Sequence, residues 1–264
     1  MQIEYYWTWA ALNPNVDTTH FQISDWENAL HVDAWWWMSL TQRVLRKEIP
    51  MPKYIFMTHC HSDHLLWLAH LIRIIKDNYM TILTSSQMKN KIHDMMYMIG
   101  KWEFYDTKIE KWNIDFIEVN EWEEISIYDR ELTPINLYSK KTEQFWFDLK
   151  TSDKHIVFFW DEAVWVMERN DLSKYEWCDR LLCEAFCVND TVDLMKPYDK
   201  AHITAEDAWV IWSRLQAKNI IISHVAEVYW TTREEQLKQV MKEVGIQYEW
   251  NIFVPSDWDI IDLE

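Results

Sequence analysis

Four side chains able to bind a metal lie within six residues: His59, His61, Asp63 and His64, in the run Thr58-His-Cys-His-Ser-Asp-His64. Imidazole nitrogens and a carboxylate are suitable donors for Zn, Mn or Fe. In an extended segment alternate side chains share one side, so His59 and His61 point together. Asp63 and His64 turn with the chain and face a second position, about one metal–metal spacing away. Scattered surface or core histidines do not produce so compact a pattern. The chemistry such a pattern points to is that of bound divalent cations.

The flanking residues read as the elements that hold this run. Strand-like apolar runs occur at 3–7, 21–23, 29–32 and 54–57, the last leading straight into the histidines. Residues 64–76 predict a helix with Leu65, Leu68, Ile72 and Ile75 on one face. Residues 85–98 predict a second helix, capped by Ser85. A β-rich stretch follows over 114–159, and 181–184 reads as a further strand. Residues 204–218 predict a helix with Thr204 as N-cap and Glu206 or Asp207 in its first turn. Residues 219–223 read as a buried strand, 231–244 as a helix ending at Gly245, and 251–254 and 259–261 as closing strands. Two β-rich halves, each followed by helices, fit an α/β (α+β) fold of two sheets face to face with helices outside. No Gly/Ser- or Pro-rich linker divides the chain, so 1–264 reads as a single domain.

Composition narrows the partners. The 264 residues carry 26 Lys plus Arg against 43 Asp plus Glu, a net charge of −17. That disfavours a broad electrostatic hold on nucleic acid or on an anionic membrane. No apolar run approaches the ~18 residues of a membrane span. The first residues lack the basic start of a secretory signal. Four cysteines (Cys60, Cys178, Cys183, Cys187) are too few for a disulfide scaffold, and the expected setting is reduced and cytoplasmic.

One count is abnormal: 19 Trp against 2 Gly. A typical domain has about 7% Gly, roughly 18 residues at this length. The simplest arithmetic is that most glycines of a parent sequence read as tryptophan here. Several Trp sit where turns belong, as in Asp33-Ala-Trp-Trp-Trp and Trp7-Thr-Trp9. A non-glycine residue in the left-handed region costs roughly 1–2 kcal/mol. If half the Trp positions need that geometry, the sum is on the order of 10 kcal/mol, comparable to a whole domain's stability. The chain as written is therefore expected to fold poorly.

The pattern His59-x-His61-x-Asp63-His64 resembles the signature of the metallo-β-lactamase superfamily of hydrolases, and the likeness runs along nearly the whole chain. Trp7-Thr-Trp9 stands where the family has a Gly-x-Gly turn. Val32-Asp33-Ala-Trp-Trp-Trp stands where a strand ends in Asp before a glycine-rich loop. Asp161 in HIVFFWDEAV matches the family's bridging Asp, and His224 in NIIISHVAEVY its last metal histidine. The resemblance implies a four-layer αββα sandwich and two divalent cations, Zn first, with Mn or Fe as alternatives. It implies one cation on His59, His61 and Asp161, and the other on Asp63, His64, His224 and the shared Asp161. Asp33 would orient a ligand histidine from behind.

Leu182-Cys-Glu-Ala-Phe186 is followed, eighteen residues after Glu184, by His202-Ile-Thr-Ala-Glu206. This resembles the paired elements of the tRNase Z-like phosphodiesterase branch, where the later His, oriented by the Glu, protonates the leaving oxygen. Glu184 and His202 match, while Cys183 replaces the branch's first His. The implied catalytic residues are Asp63, orienting the nucleophile, and His202 with Glu184, supplying the acid that a high-pKa alkoxide needs. The plainer reading makes His202 a neighbour of a helix cap and Glu184 a solvated acid.

The family's further His in the β-rich middle is missing. Residues 132–141 contain none, Tyr138 or Ser139 lies nearest, and the first cation site is expected to be weaker or absent. His70, His93 and His155 read as structural. Trp35, Trp36, Trp37, Trp67, Trp146, Trp160 and Trp230 stand where the family tends to have glycine. The leading expectation is a metal-dependent phosphodiesterase using a metal-bound hydroxide on a small or cyclic phosphodiester or RNA. A tRNA 3′-processing endoribonuclease is the alternative, disfavoured by the charge and by the lack of a Gly/Pro-rich basic insertion. Two others are a lactonase- or lactamase-like hydrolase and an inactive, metal-free binding module. The sequence leaves the oligomeric state open, and a homodimer is compatible with it.

Overall fold

The computed structural model describes residues 1–7, 20–25, 28–34, 44–65, 68–74, 78–99, 106, 113–159, 162, 171–226, 232–244, 251–256 and 259–263. The N-terminal half supplies β1 (Gln2–Trp7), β2 (His20–Ser24), β3 (Ala29–Val32), β4 (Tyr54–Phe56), β5 (Met80–Thr84) and β6 (Ile114–Glu118). The second half supplies β7 (Ile125–Ile127), β8 (Arg130–Asn136), β9 (Phe145–Lys150), β10 (His155–Phe159), β11 (Arg180–Glu184), β12 (Asn219–Ser223), β13 (Ile252–Phe253) and β14 (Ile260–Asp262). Among the described residues the helices are α1 (Ser62–Leu65), α2 (Leu68–Ile74), α3 (Ser86–Met98), α4 (Val192–Met195), α5 (Ala205–Leu215) and α6 (Arg233–Val244).

Two seven-stranded sheets result, in the orders β14-β1-β2-β3-β4-β5-β6 and β13-β12-β11-β10-β9-β8-β7. In the first, β1 to β3 pair antiparallel and β3 to β6 parallel. In the second, β7 to β10 pair antiparallel and β10 to β13 parallel. The last strand returns to pair with β1. Parallel pairing needs crossovers, and the helices supply them on the outer faces.

Alternation assigns the faces. Tyr5 of β1 and Phe56 of β4 enter the core between the sheets, while Tyr6 and Ile55 face the helices. Ring contacts tie the sheets together: Phe21 stacks on Phe158 at 5.7 Å between centroids, and Phe56 meets Phe147 at 4.7 Å. Outside the first sheet, Leu68, Leu71 and Ile72 of α2 and Met88, Ile92 and Met95 of α3 pack against Ile55 and Ile82. Ala208, Ile211 and Leu215 of α5 join the core of the second sheet.

Most expected elements are present, with instructive shifts. The helix expected from residue 64 begins at Ser62, so Asp63 and His64 lie in its first turn. The helix expected over 204–218 stops at Leu215, where Gln216 takes φ 50 and the chain turns into β12. Trp212 Nε1 donates to Ala217 O at 2.7 Å and closes that turn. The expected Gly245 cap lies outside the described residues, as do Trp9, Trp35, Trp36, Trp37, Trp67, Trp160 and Trp230. Trp146 sits buried within β9 with no left-handed backbone. Two other tryptophans do take positive φ: Trp122 at 67° and Trp177 at 63°.

Candidate metal centre

The functional side chains gather beyond the carboxyl ends of the parallel strands. Asp33 follows β3, Thr58 and His59 follow β4, Glu184 ends β11, and His224 follows β12. Open parallel sheets bind ligands at this edge, where side chains from different strands converge. Asp33 and His224 both adopt left-handed backbone, at φ 62 and φ 57. Aspartate and histidine are among the non-glycine residues that enter this region most readily, and such strain concentrates at functional sites.

The run Thr58 to His64 is held from behind by Asp33. The carboxylate accepts from the Thr58 backbone N–H at 2.8 Å, from the Thr58 hydroxyl at 2.8 Å and from His64 Nδ1 at 2.6 Å. Asp33, His59 and His64 are buried, while His61 is half-buried. His59 and His61 meet at 4.4 Å between ring centroids, and His59 and His64 at 4.1 Å.

Glu184 organises the second half of the cluster. Its Oε2 accepts from His202 Nδ1 at 2.8 Å and from His224 Nδ1 at 2.9 Å, and its Oε1 from the Ile203 backbone N–H at 3.0 Å. Glu184 and His224 are buried, while His202 keeps 14% of its side chain exposed and so faces the approach from solvent. The reading of Glu184 as a solvated acid is overturned by this burial. One donor atom each of Glu184, His202 and His224 lie within 4.8 Å of one another. His64 and His224 are 6.5 Å apart between ring centroids, so the two histidine groups form one continuous patch.

The donor chemistry fits divalent cations. A carboxylate accepts and does not donate, so Nδ1 of His64 on Asp33 and Nδ1 of His224 on Glu184 carry their protons, and Nε2 of each keeps its lone pair. His59 Nε2 and His61 Nδ1 stand 2.8 Å apart. Two nitrogens bound to one metal at about 2.0–2.1 Å sit at roughly that separation when the angle at the metal is near 90°.

The other expected residues divide clearly. Asp161 lies outside the described residues, and Asp63 is placed in α1 by its backbone, with its side chain outside what is described. Tyr138, nearest to the missing middle His, gives its hydroxyl to the Glu121 carboxylate at 2.8 Å. Cys183 alternates with Glu184 along β11 and packs into the core, where burial holds its thiol well above the ordinary value. It does not take over the place of a histidine. His155 pairs with Asp148 at 3.0 Å and His93 stacks near Phe116, as structural histidines do.

Several supporting residues were not singled out by the sequence. Thr58 bridges Asp33 and His59. Phe186 stacks flat on His202, 4.2 Å between centroids with planes 3° apart. His20 and His31 are buried beside Tyr6. Burial, with His31 and His64 nearby, pushes the His20 imidazole well below its usual value, and burial pushes His31 down to about 3. The one available signal was their place on strands facing the helix layer.

A family model described as "Beta-lactamase superfamily domain" matches residues 28–225. The chain belongs to the beta-lactamase superfamily. Solved structures agree on the metallo-β-lactamase fold. The metallo-beta-lactamase fold protein YhfI from Bacillus subtilis aligns with TM-score 0.72 and 13% identity over 98% of each chain. Unliganded yeast PDE1 aligns at 0.71 and 12% over 99% of each. Human tRNase Z, short form, aligns at 0.68 and 14% over 100% of each. At such identities the likeness concerns the fold. No curated protein matches the sequence. The patch from His59 to His224 draws on both sheets, His59 following β4 of the first and His224 following β12 of the second.

Proposed function

We propose that this superfamily member is a metal-dependent phosphodiesterase acting on a small or cyclic phosphodiester. The observation that carries the reading is the shared Glu184 oxygen, 2.8 Å from His202 Nδ1 and 2.9 Å from His224 Nδ1. It joins a solvent-facing histidine to one that reaches the His59–His64 group. His59, His61 and Asp161 would hold one cation, and Asp63, His64, His224 and Asp161 the other, Zn first. When bound, such cations lower the pKa of a water and neutralise the phosphate. His202, braced by Glu184 at Nδ1, would act in its protonated form and present Nε2–H to the leaving oxygen. A water oxygen would form the new P–O bond while the bond to the leaving oxygen breaks and that oxygen takes the His202 proton, and Glu184 would stabilise the imidazolium before the transfer. A net charge of −17 favours a small ester over tRNA. The described cysteines are all free thiols, which supports a reducing compartment.

The test is hydrolysis of bis-p-nitrophenyl phosphate against a lactone, with metal content measured on the same sample. Turnover of the diester is expected, with a small loss in H202A on this activated ester and a loss of about 10²–10⁴-fold on an alkyl phosphodiester, whose leaving alkoxide needs the proton. Preference for the lactone, or alkyl-diester turnover untouched in H202A, overturns the phosphodiesterase reading. Near-zero bound metal favours the binding-module alternative, for which the Tyr138–Glu121 contact in place of a middle ligand is the supporting observation.

A further inference from the structure

We propose that Thr58 is a positioning residue that fixes the tautomer of His59 by linking it to Asp33, an inference that rests on the metal reading above. Asp33 approaches the Thr58 hydroxyl with both oxygens, at 3.0 and 2.8 Å. The carboxylate only accepts, so the one hydroxyl proton goes to Asp33. The hydroxyl oxygen then has only lone pairs to offer His59 Nδ1, 2.9 Å away. Nδ1 must therefore carry the proton, which leaves the Nε2 lone pair facing His61. Thr58 cannot turn away from this duty. Its backbone N–H is spent on Asp33 and its carbonyl accepts from Phe145 N at 3.0 Å. The same carboxylate acts directly on His64 Nδ1. One buried acid thus sets two imidazoles, one in a single step and one through a hydroxyl.

Valine at 58 keeps the shape and removes the relay. His59 Nδ1 loses its acceptor, and the competing tautomer places a proton on the nitrogen that should bind metal. The experiment is nitrogen-15 NMR of the histidine side chains in metal-free protein, followed by Zn²⁺ titration. The parent and T58S are expected to show His59 protonated at Nδ1. T58V should lose that bias while His64 keeps its own, and should bind one Zn²⁺ equivalent about 10–100-fold more weakly. An unbiased His59 in the parent, or T58V matching the parent in tautomer and affinity, overturns the proposal. A parent that shows the Thr58-dependent tautomer but binds no Zn²⁺ removes the metal reading and leaves the relay standing.

Independently of the metal centre, the backbone bears on the tryptophans. Among the six described tryptophans, two have left-handed backbone, Trp122 and Trp177. For non-glycine residues a few per cent is usual, and for bulky ones such φ values are outliers. With 2 Gly and 19 Trp in the chain, we propose that the codon rendered here as tryptophan is decoded as glycine where the protein is made. UGA is read as tryptophan in some genetic codes and as glycine in others, so a single misassignment would produce the whole pattern. Peptide mass spectrometry on protein isolated from its source cells decides. Glycine at 122 and 177 is expected, and tryptophan at both overturns the proposal.

Discussion

Glu184 carries three hydrogen bonds on two oxygens, all of them accepted. That makes E184Q more disruptive than its size suggests. A glutamine offers one acceptor and one donor end, so an N–H must point at one of three N–H groups, leaving a buried donor unpaired. The expected outcome is loss of turnover together with loss of bound metal through His224. H202A should lose turnover and keep the metal, because His224 retains its carboxylate. Rates on an alkyl phosphodiester and metal analysis of both variants separate the two roles. The same scale governs acid stability. His31 is buried, its pKa is pushed down to about 3, and both ring nitrogens lack a partner among the described residues. Its folded value lies below the unfolded one, so its contribution is intact above pH 6.5 and drains as pH falls from there towards 3. The slope is about 1.4 kcal/mol per pH unit. Urea unfolding at pH 7 and pH 5 should show a smaller drop in H31L than in the parent. Equal drops would contradict this account.

Elements were legible where local chemistry alone decides them. The strands at 29–32 and 219–223 occupy the residues that their apolar runs mark. Ser85 caps α3 by accepting from Met88 N at 3.2 Å. Thr204 and Asp207 form a reciprocal capping box at the start of α5. The end of α5 was not legible, because Gln216 turns the chain in left-handed backbone without the glycine that advertises such a turn. Nor was the Asp33–Thr58–His59 relay, since a contact across 25 residues leaves no trace in spacing. His59, His61 and His64 could be read because they are neighbours in sequence, whereas His224 needed the resemblance to be placed. The Thr204 cap serves the site as well as the helix, standing two residues from His202. T204A is expected to cost about 0.5–2 kcal/mol in urea unfolding, and T204S almost nothing. A similar loss in both would show that the methyl group's packing, rather than the hydroxyl cap, holds this helix start.

At the scale of the whole molecule, the sandwich closes over a continuous apolar core, and its stability is set against the turns that connect its strands. Trp122 lies in the turn before β7, where its N–H reaches Pro134 O, and Trp177 precedes β11 with its N–H on Leu215 O at 2.8 Å. Both backbone positions are fixed by these bonds, so the side chain must tolerate the φ imposed on it. Glycine at each should recover roughly 1–2 kcal/mol. A gain of 1 kcal/mol raises Tm by about 2–4 °C in a domain near this size, so W122G/W177G should melt on the order of 10 °C above the parent. Trp209 supplies the control, since it sits exposed on α5 in ordinary helical backbone. There glycine is the poorer helix former by roughly half a kcal/mol, and W209G should melt no higher than the parent. If the parent melts cooperatively well above about 50 °C, or if W122G/W177G and W209G shift alike, the left-handed turns are not where this chain loses its stability.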